Sequence, residues 1–275
     1  MKVGVVAKPG DKSISKILYT VITSLLEHGV EVLLDPIAAS YIQLESVKTF
    51  DILKDTPDII IVVGGDGTLL RTIQLLGDRQ PAIMTIRYGR RGFLLDVSPY
   101  EIRERIKDLV EGRYFIVRYM RLQAEIIDRG IRTPYALNEV TIVQPEFKVV
   151  RLHLLKDDDP IYSMDGDGII VATPIGSTAY SLSAGGPIVD PEVEAIIITP
   201  INPLQLYLRS IVIPSSSKIT VSVRSDSPTA LLLVDGQYSI RVEPGETISI
   251  SKAPAPARII RFQKVPVYEK VFERR

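Results

Sequence analysis

Asp58-Ile59-Ile60-Ile61-Val62-Val63-Gly64-Gly65-Asp66-Gly67-Thr68-Leu69-Leu70-Arg71-Thr72-Ile73-Gln74-Leu75-Leu76 decides the fold class. Asp58 to Val63 is apolar without alternation, the pattern of a strand covered on both faces of a parallel sheet. Gly64 to Gly67 turns the chain, and Thr68 to about Leu76 takes up helical spacing. A buried strand, a glycine turn and a helix in immediate succession belong to a βα unit. The neighbouring sequence repeats the theme. Lys2 to Ala7 reads as a buried strand, and Asp11 is placed to cap a helix running to about Glu27. That helix has apolar residues at 14, 17, 18, 21, 22, 25 and 26, the i, i+3, i+4 spacing of one buried face. Gly29 ends it, and Val30 to Leu34 and Pro81 to Ile86 follow as further strands. Ser98-Pro99-Tyr100-Glu101 predicts a helix start, with serine at the N-cap, proline next and glutamate at N3.

After Glu111 the texture changes to short runs separated by turn residues: Tyr114 to Ile127, Tyr135 to Val143, Val149 to Leu155, Gly168 to Thr173, Ala195 to Thr199, Lys218 to Val223, Ala230 to Val234 and Thr247 to Ser251. The expected fold is an α/β N-terminal domain with a mostly parallel sheet, residues 1–100, and a β-rich, sandwich-like C-terminal domain, residues 101–254. Ala253-Pro254-Ala255-Pro256 reads as an extended connector out of the β domain.

Composition narrows the chemistry. The 275 residues are 45% apolar, enough for a sizeable core. Lysine plus arginine and aspartate plus glutamate both number 33, so the chain has no electrostatic footprint for nucleic acid or an anionic membrane. One basic run, Arg87-Tyr88-Gly89-Arg90-Arg91, is short enough for a single phosphate site or a solvated turn. The absence of cysteine excludes thiolate nucleophiles, disulfides and thiolate-bound metals. Only His28 and His153 are present, and both sit where a structural role suffices. The sequence offers no secretory segment and no apolar run near the roughly 20 residues that span a bilayer. Any chemistry must rest on carboxylates, hydroxyls, amides and backbone.

Four segments could carry it. Gly64-Gly65-Asp66-Gly67-Thr68 lies between strand and helix, where glycines permit close approach and free helix N–H groups suit phosphate. It lacks the lysine of a P-loop. A carboxylate beside a phosphate site must serve some other end, either accepting a hydrogen bond from an attacking hydroxyl or holding Mg²⁺ through water. The plain alternative is an N-cap. Asn138-Glu139 interrupts a strand pattern with groups that match an adenine edge or ribose hydroxyls; the alternative is an edge strand with one wet face. Asp165-Gly166-Asp167-Gly168 precedes a strand ending at Ala172, and then comes the Gly/Ser/Thr-rich run Thr173 to Gly186. That run can offer amides and hydroxyls to a nucleotide, with Tyr180 as a packing surface; the alternative is a loop. Val234-Asp235-Gly236-Gln237 is first of all a hairpin signal.

Together these segments resemble the NAD kinase family, from Gly64 through Gln237. Gly64 to Thr68 alone is shared with diacylglycerol and sphingosine kinases and loosely with phosphofructokinases. Asn138-Glu139 and Thr173 to Gly186 are more specific, and Gly92-Phe93-Leu94, Ile198-Thr199-Pro200 and Ile213-Pro214 also match. The resemblance implies a cytoplasmic phosphotransferase. It would move the terminal phosphoryl of ATP, another nucleoside triphosphate or polyphosphate to the adenosine ribose 2′-hydroxyl of NAD, making NADP. It implies Mg²⁺ carried with ATP and no metal ligands of the protein's own. It further implies a C-terminal tail, about 255–275, that returns to the first domain, NAD bound between domains, and self-association to a dimer or tetramer.

By that pattern Asp66 is the catalytic proton acceptor. Gly64, Gly65 and Thr68 face the ATP phosphates, with Gly67 and Arg71 beside Asp66. Asn138 and Glu139 hold the adenosine half, and Asp167 contacts ribose or amide groups. Thr178, Ala179, Tyr180, Ser181, Leu182 and Ser183 wrap the dinucleotide, with Ala172 at the end of the preceding strand. Asp235 and Gln237 line the site. Lys148 and Asp165 are further candidate contacts. Asp165 stands where many members carry a basic residue; Ile175 and residues 202–209 also depart from the usual wording. Weighed against this are a lipid kinase, which should present an apolar slot and a membrane-facing basic surface, and a sugar kinase, which needs an Arg- and His-rich phosphate site. A dinucleotide-binding sensor without catalysis is the non-enzyme alternative, and the intact Asp66 argues against it.

Overall fold

The computed structural model describes residues 1–263 apart from 43, 45, 46, 90, 91 and 147. The chain divides into two compact units: Met1–Arg118 joined by the segment that begins at Ala257, and Tyr119–Pro256. The first unit extends past residue 100, the expected boundary. The helix Ile102–Val110 buries Ile102, Ile106 and Leu109 in the core that holds Leu18, Val21 and Leu25, so it belongs with that core.

In the first unit the elements are β1 (Lys2–Ala7), α1 (Ser15–Glu27), β2 (Glu31–Leu34), α2 (Pro36–Tyr41), β3 (Lys48–Thr49), β4 (Ile59–Gly64), α3 (Asp66–Leu76), β5 (Ala82–Arg87), α4 (Ile102–Val110) and β6 (Phe115–Tyr119). The sheet order is β3-β2-β1-β4-β5, then the C-terminal strand Ala257–Arg261, then β6. Strands β1, β2, β3, β4 and β5 pair in parallel, and Ile259 pairs in parallel with Ile83 of β5. β4 is buried at all six positions, as its unbroken apolar run predicts. Helix ends follow local chemistry. The Asp11 carboxylate accepts from the Ser13 N–H ahead of α1, Gly29 has a φ of +70° after it, and Ser98 and Glu101 form a reciprocal capping box before α4. Asp35 caps α2 and also accepts from the Ala7 N–H. Of the expected tail, residues 264–275 lie outside the described residues, as do Arg90 and Arg91 of the basic run.

The second unit is two antiparallel six-stranded sheets. Its strands continue as β7 (Leu122–Ile126), β8 (Ile131–Arg132), β9 (Glu139–Val143), β10 (Val150–Lys156), β11 (Asp159–Gly166), β12 (Gly168–Ala172), β13 (Ala195–Ile201), β14 (Ile211–Pro214), β15 (Ile219–Val223), β16 (Ala230–Val234), β17 (Tyr238–Val242) and β18 (Thr247–Lys252); β19 is the C-terminal strand Ala257–Arg261 of the first unit's sheet. One sheet runs β11-β10-β15-β18-β7-β8 and the other β14-β13-β12-β9-β16-β17. Their facing residues, among them Leu152, Val221 and Ile250 from one sheet and Ile142, Val171 and Leu232 from the other, form one core. β15 and β16 alternate buried and half-buried positions, the mark of one dry face. β12 and β13 are buried throughout, because Ala184 and Val189 of the following segment pack on Ile170, Ala172, Ile197 and Ile201 on their outer face.

Candidate active site

The first unit's chain path places a crevice. From β1 it passes to β2 and β3 on one side, then crosses to β4 on the other. Ligands in open α/β sheets bind outside the carboxyl ends of the strands at such a switch. Here those ends carry Ala7 and Gly64, and α3 begins two residues after Gly64. Gly64 cannot be another residue, because a β-carbon there would collide with the Thr68 side chain. Gly65 is the N-cap of α3, Asp66 and Gly67 open its first turn, and early helix N–H groups lack intrahelical partners. An anionic group is therefore favoured at this end.

Asp66 is not a free N-cap. Its Oδ2 accepts from the Phe93 N–H at 2.8 Å and its Oδ1 from the Leu94 N–H at 3.0 Å. The Gly92-Phe93-Leu94 segment thus fixes the carboxylate plane and leaves a lone pair on each oxygen. Beside α3 a cleft of about 290 Å³ opens between Ala7 and Pro9, the Asp35-Pro36-Ile37 turn, Ile52 and Leu53, and the α3 residues Thr68, Arg71, Thr72 and Leu75. Its walls are mostly apolar, with Arg71, Asp35 and Asp51 as the ionisable residues among them. Burial pushes the Asp35 carboxyl up, against the lowering effect of the Ala38, Ala7 and Ile37 amides and of Arg71.

Three of the four motifs converge in the second unit. Asp235 opens the β16–β17 hairpin with a φ of +48°, followed by Gly236 at +63°, as an Asp-Gly turn requires. Its buried carboxylate accepts from three consecutive amides, Leu137 at 2.7 Å, Asn138 at 2.8 Å and Glu139 at 3.0 Å. Asp235 is thus spent on holding the Asn138-Glu139 segment. The Asn138 carbonyl accepts from the Thr173 N–H at 2.8 Å, and the Thr173 hydroxyl donates to Leu137 O at 2.6 Å. Gly176 passes so close to the Asn138 carbonyl that a β-carbon would overlap it. The Glu139 side chain accepts from the Tyr180 N–H, while its buried Oε2 has no hydrogen-bond partner among the described residues. Burial, reinforced by the Asp235 charge, pushes the Glu139 carboxyl up to about 8. At neutral pH it is a neutral acid with an unused polar atom.

The remaining candidates fall elsewhere. Tyr180 is 44% exposed, with its ring available, and Asn138 is half-buried. Ser181 is buried and its hydroxyl is hydrogen-bonded to Thr199 at 2.8 Å, and the buried Thr178 donates to Ile175 O. Both hydroxyls are thus hydrogen-bonded within the second unit, Ser181 to β13 and Thr178 to its own turn. Ala172 is fully buried in β12, Ala179 and Leu182 are half-buried, and Ser183 and Gln237 are exposed. Asp167 accepts from the Asn202 amide at 2.8 Å, and the Asp165 backbone pairs with Gln205 and Leu204. Lys148 is exposed and ion-pairs with Glu146 at 3.1 Å. The Ile52–Leu53 wall of the cleft had no signal in the residue pattern, and Gly92-Phe93-Leu94 stood out as a segment without showing that its amides hold Asp66. No group of three histidine, aspartate or glutamate side chains among the described residues is arranged to hold a metal ion. No helix among them is long and apolar enough to cross a membrane.

Comparison with known proteins agrees with this geometry. The ATP-NAD kinase N-terminal domain family matches residues 3–114, and the ATP-NAD kinase C-terminal domain family matches residues 137–262. The NAD kinase of Aeropyrum pernix is 42% identical over 99% of this chain and 97% of its own length. That of Methanothermobacter thermautotrophicus is 35% identical over 100% and 96%. Among solved structures, yeast NADH kinase complexed with NADH superposes with a TM-score of 0.91 at 26% identity, covering 100% of this chain and 86% of that one. An NAD kinase from Archaeoglobus fulgidus in complex with ATP gives 0.79 at 30% identity, covering 100% and 97%. A fold, a glycine-walled carboxylate and a full-length match of both halves lead to one conclusion: the chain belongs to the NAD kinase family.

Proposed function

We propose that this protein transfers the terminal phosphoryl group of ATP to the adenosine ribose 2′-hydroxyl of NAD, forming NADP. The observation that carries the reading is the Asp66 carboxylate, clamped by two backbone amides at the start of α3 and at the sheet's switch point. Phosphoryl transfer demands positioning and charge stabilisation more than a strong base. Asp66 accepts the 2′-hydroxyl proton as that oxygen bonds to the γ-phosphorus and the bond to the bridging oxygen of ADP breaks. The first amides of α3 face the transferring phosphates. The cleft beside Arg71 has the size and apolar walls for the donor's base and ribose. Mg²⁺ carried in with the donor would supply the charge neutralisation its phosphates need. In the second unit Asn138, the neutral Glu139 and the exposed Tyr180 ring form the surface for the adenosine of NAD.

A cytoplasmic location and self-association complete the reading. Exposed Leu204, Leu206 and Tyr207, close to the edge strand β14, offer apolar surface to a second copy. The test is to incubate the protein with ATP, Mg²⁺ and NAD and to measure NADP. Asp66→Asn and Asp66→Ala should lower kcat by at least about 100-fold, the usual scale of a lost acid–base group, with NAD affinity retained. Wild-type turnover in both variants would remove Asp66 from this role.

A further inference from the structure

The two amides that hold Asp66 belong to residues 92–96, which form neither helix nor strand. Such a segment positions a carboxylate only if something fixes it in turn. Two side chains do so. The Thr85 hydroxyl in β5 accepts from the Asp96 N–H at 3.3 Å and lies 3.5 Å from the Leu94 carbonyl. Arg261, from the C-terminal strand β19, donates through Nη1 to the same Leu94 carbonyl at 3.2 Å and forms an ion pair with the Asp96 carboxylate. Leu94 is thereby gripped on both sides: its N–H by Asp66 and its C=O by Arg261.

Arg261 is only 4% exposed. A buried arginine paired with one carboxylate is weak evidence for stability, since apolar residues of similar volume often serve as well or better. Its planar fork suits another purpose, holding a carbonyl and a carboxylate at once in fixed geometry. We propose that Arg261 is a positioning residue for the phosphoryl-transfer step: by locking residues 94 and 96 it sets the direction of the two amides that orient Asp66. The inference rests on the proposed function, and it ties the aim of Asp66 to the strand that returns to the first sheet.

The test uses the full-length protein. Arg261→Leu should lower kcat by about 10- to 100-fold, the scale of a small misplacement of a reacting group. The KM values for ATP and NAD should stay within about threefold. The melting temperature should fall, because the Asp96 carboxylate loses its buried partner, so kcat is taken per folded molecule well below that midpoint. Arg261→Lys should fall between wild type and leucine, and guanidinium ion should restore part of the activity of Arg261→Ala. Asp96→Asn is the second route should arginine variants fail to fold, and it too should lower kcat without raising either KM. Full kcat in folded Arg261→Leu or in Asp96→Asn overturns the inference, as does a loss explained by a matching loss of folded protein. A wild-type protein that makes no NADP would instead sink the functional reading itself.

Discussion

Glu139→Gln is the sharpest test of the second unit's site. Burial and the Asp235 charge raise the Glu139 carboxyl from the ordinary 4.5 to about 8. Between those values the folded protein keeps a proton that the unfolded chain has released. The unfolded state then binds fewer protons, so stability falls as pH rises through this window and levels off above it. Each tenfold change in proton affinity corresponds to about 1.4 kcal/mol. The gap from 4.5 to about 8 therefore sets a ceiling of about 5 kcal/mol above pH 8, and about 3 kcal/mol at pH 7. Glutamine keeps the shape and an acceptor for the Tyr180 N–H but has nothing to ionise. Thermal unfolding of both proteins between about pH 5 and about pH 8 should show curves that diverge. The variant should gain by up to about 3 kcal/mol at neutral pH, roughly 6–12 °C for a unit of this size. Other titrating groups are common to both proteins and cancel in the difference. Parallel curves would show that Glu139 is ionised as readily in the folded protein as in the unfolded chain, and the neutral-acid role would fall with it.

Asp235→Ala strips the acceptor from three amides, so it should cost about 3 kcal/mol or more in thermal or denaturant unfolding and weaken NAD binding; a neutral result would show that the hairpin does not hold the Asn138-Glu139 segment. Gly176→Ala places a methyl against the Asn138 carbonyl and should destabilise by about 3 kcal/mol, read as a lower melting temperature or loss of folded protein. Tyr180→Ala removes a half-exposed ring and should weaken NAD binding by about tenfold or more, the scale of one base–aromatic stack; an unchanged dissociation constant would take the ring out of the site.

Features set by near neighbours were legible in the chain. The unbroken apolar run of β4, the glycine turn after it, the capping box at Ser98 and the alternation of β15 and β16 depend on residues a few positions apart, and periodicity reports them. Short or polar elements escaped: α2 is six residues long, and β11 begins in an acidic run. Site roles divided the same way. Gly64 to Thr68 and Asn138-Glu139 stood out as residue types in the wrong place for a plain turn or strand. Asp235 read as a hairpin residue, which it is, yet its carboxylate reaches Leu137, 98 positions away in the chain. Ser181 and Tyr180 are adjacent and look equally suited to a ligand, but one hydroxyl is buried against Thr199 and the other residue's ring lies open. Arg261 carried no mark at all, because its importance lies in meeting Leu94 from a strand 167 residues later. Local pattern chooses the element and its buried face. Which long-range groups meet across that face, and so which carboxylate is neutral or which one is aimed, is settled only when distant segments pack and exclude water from one another.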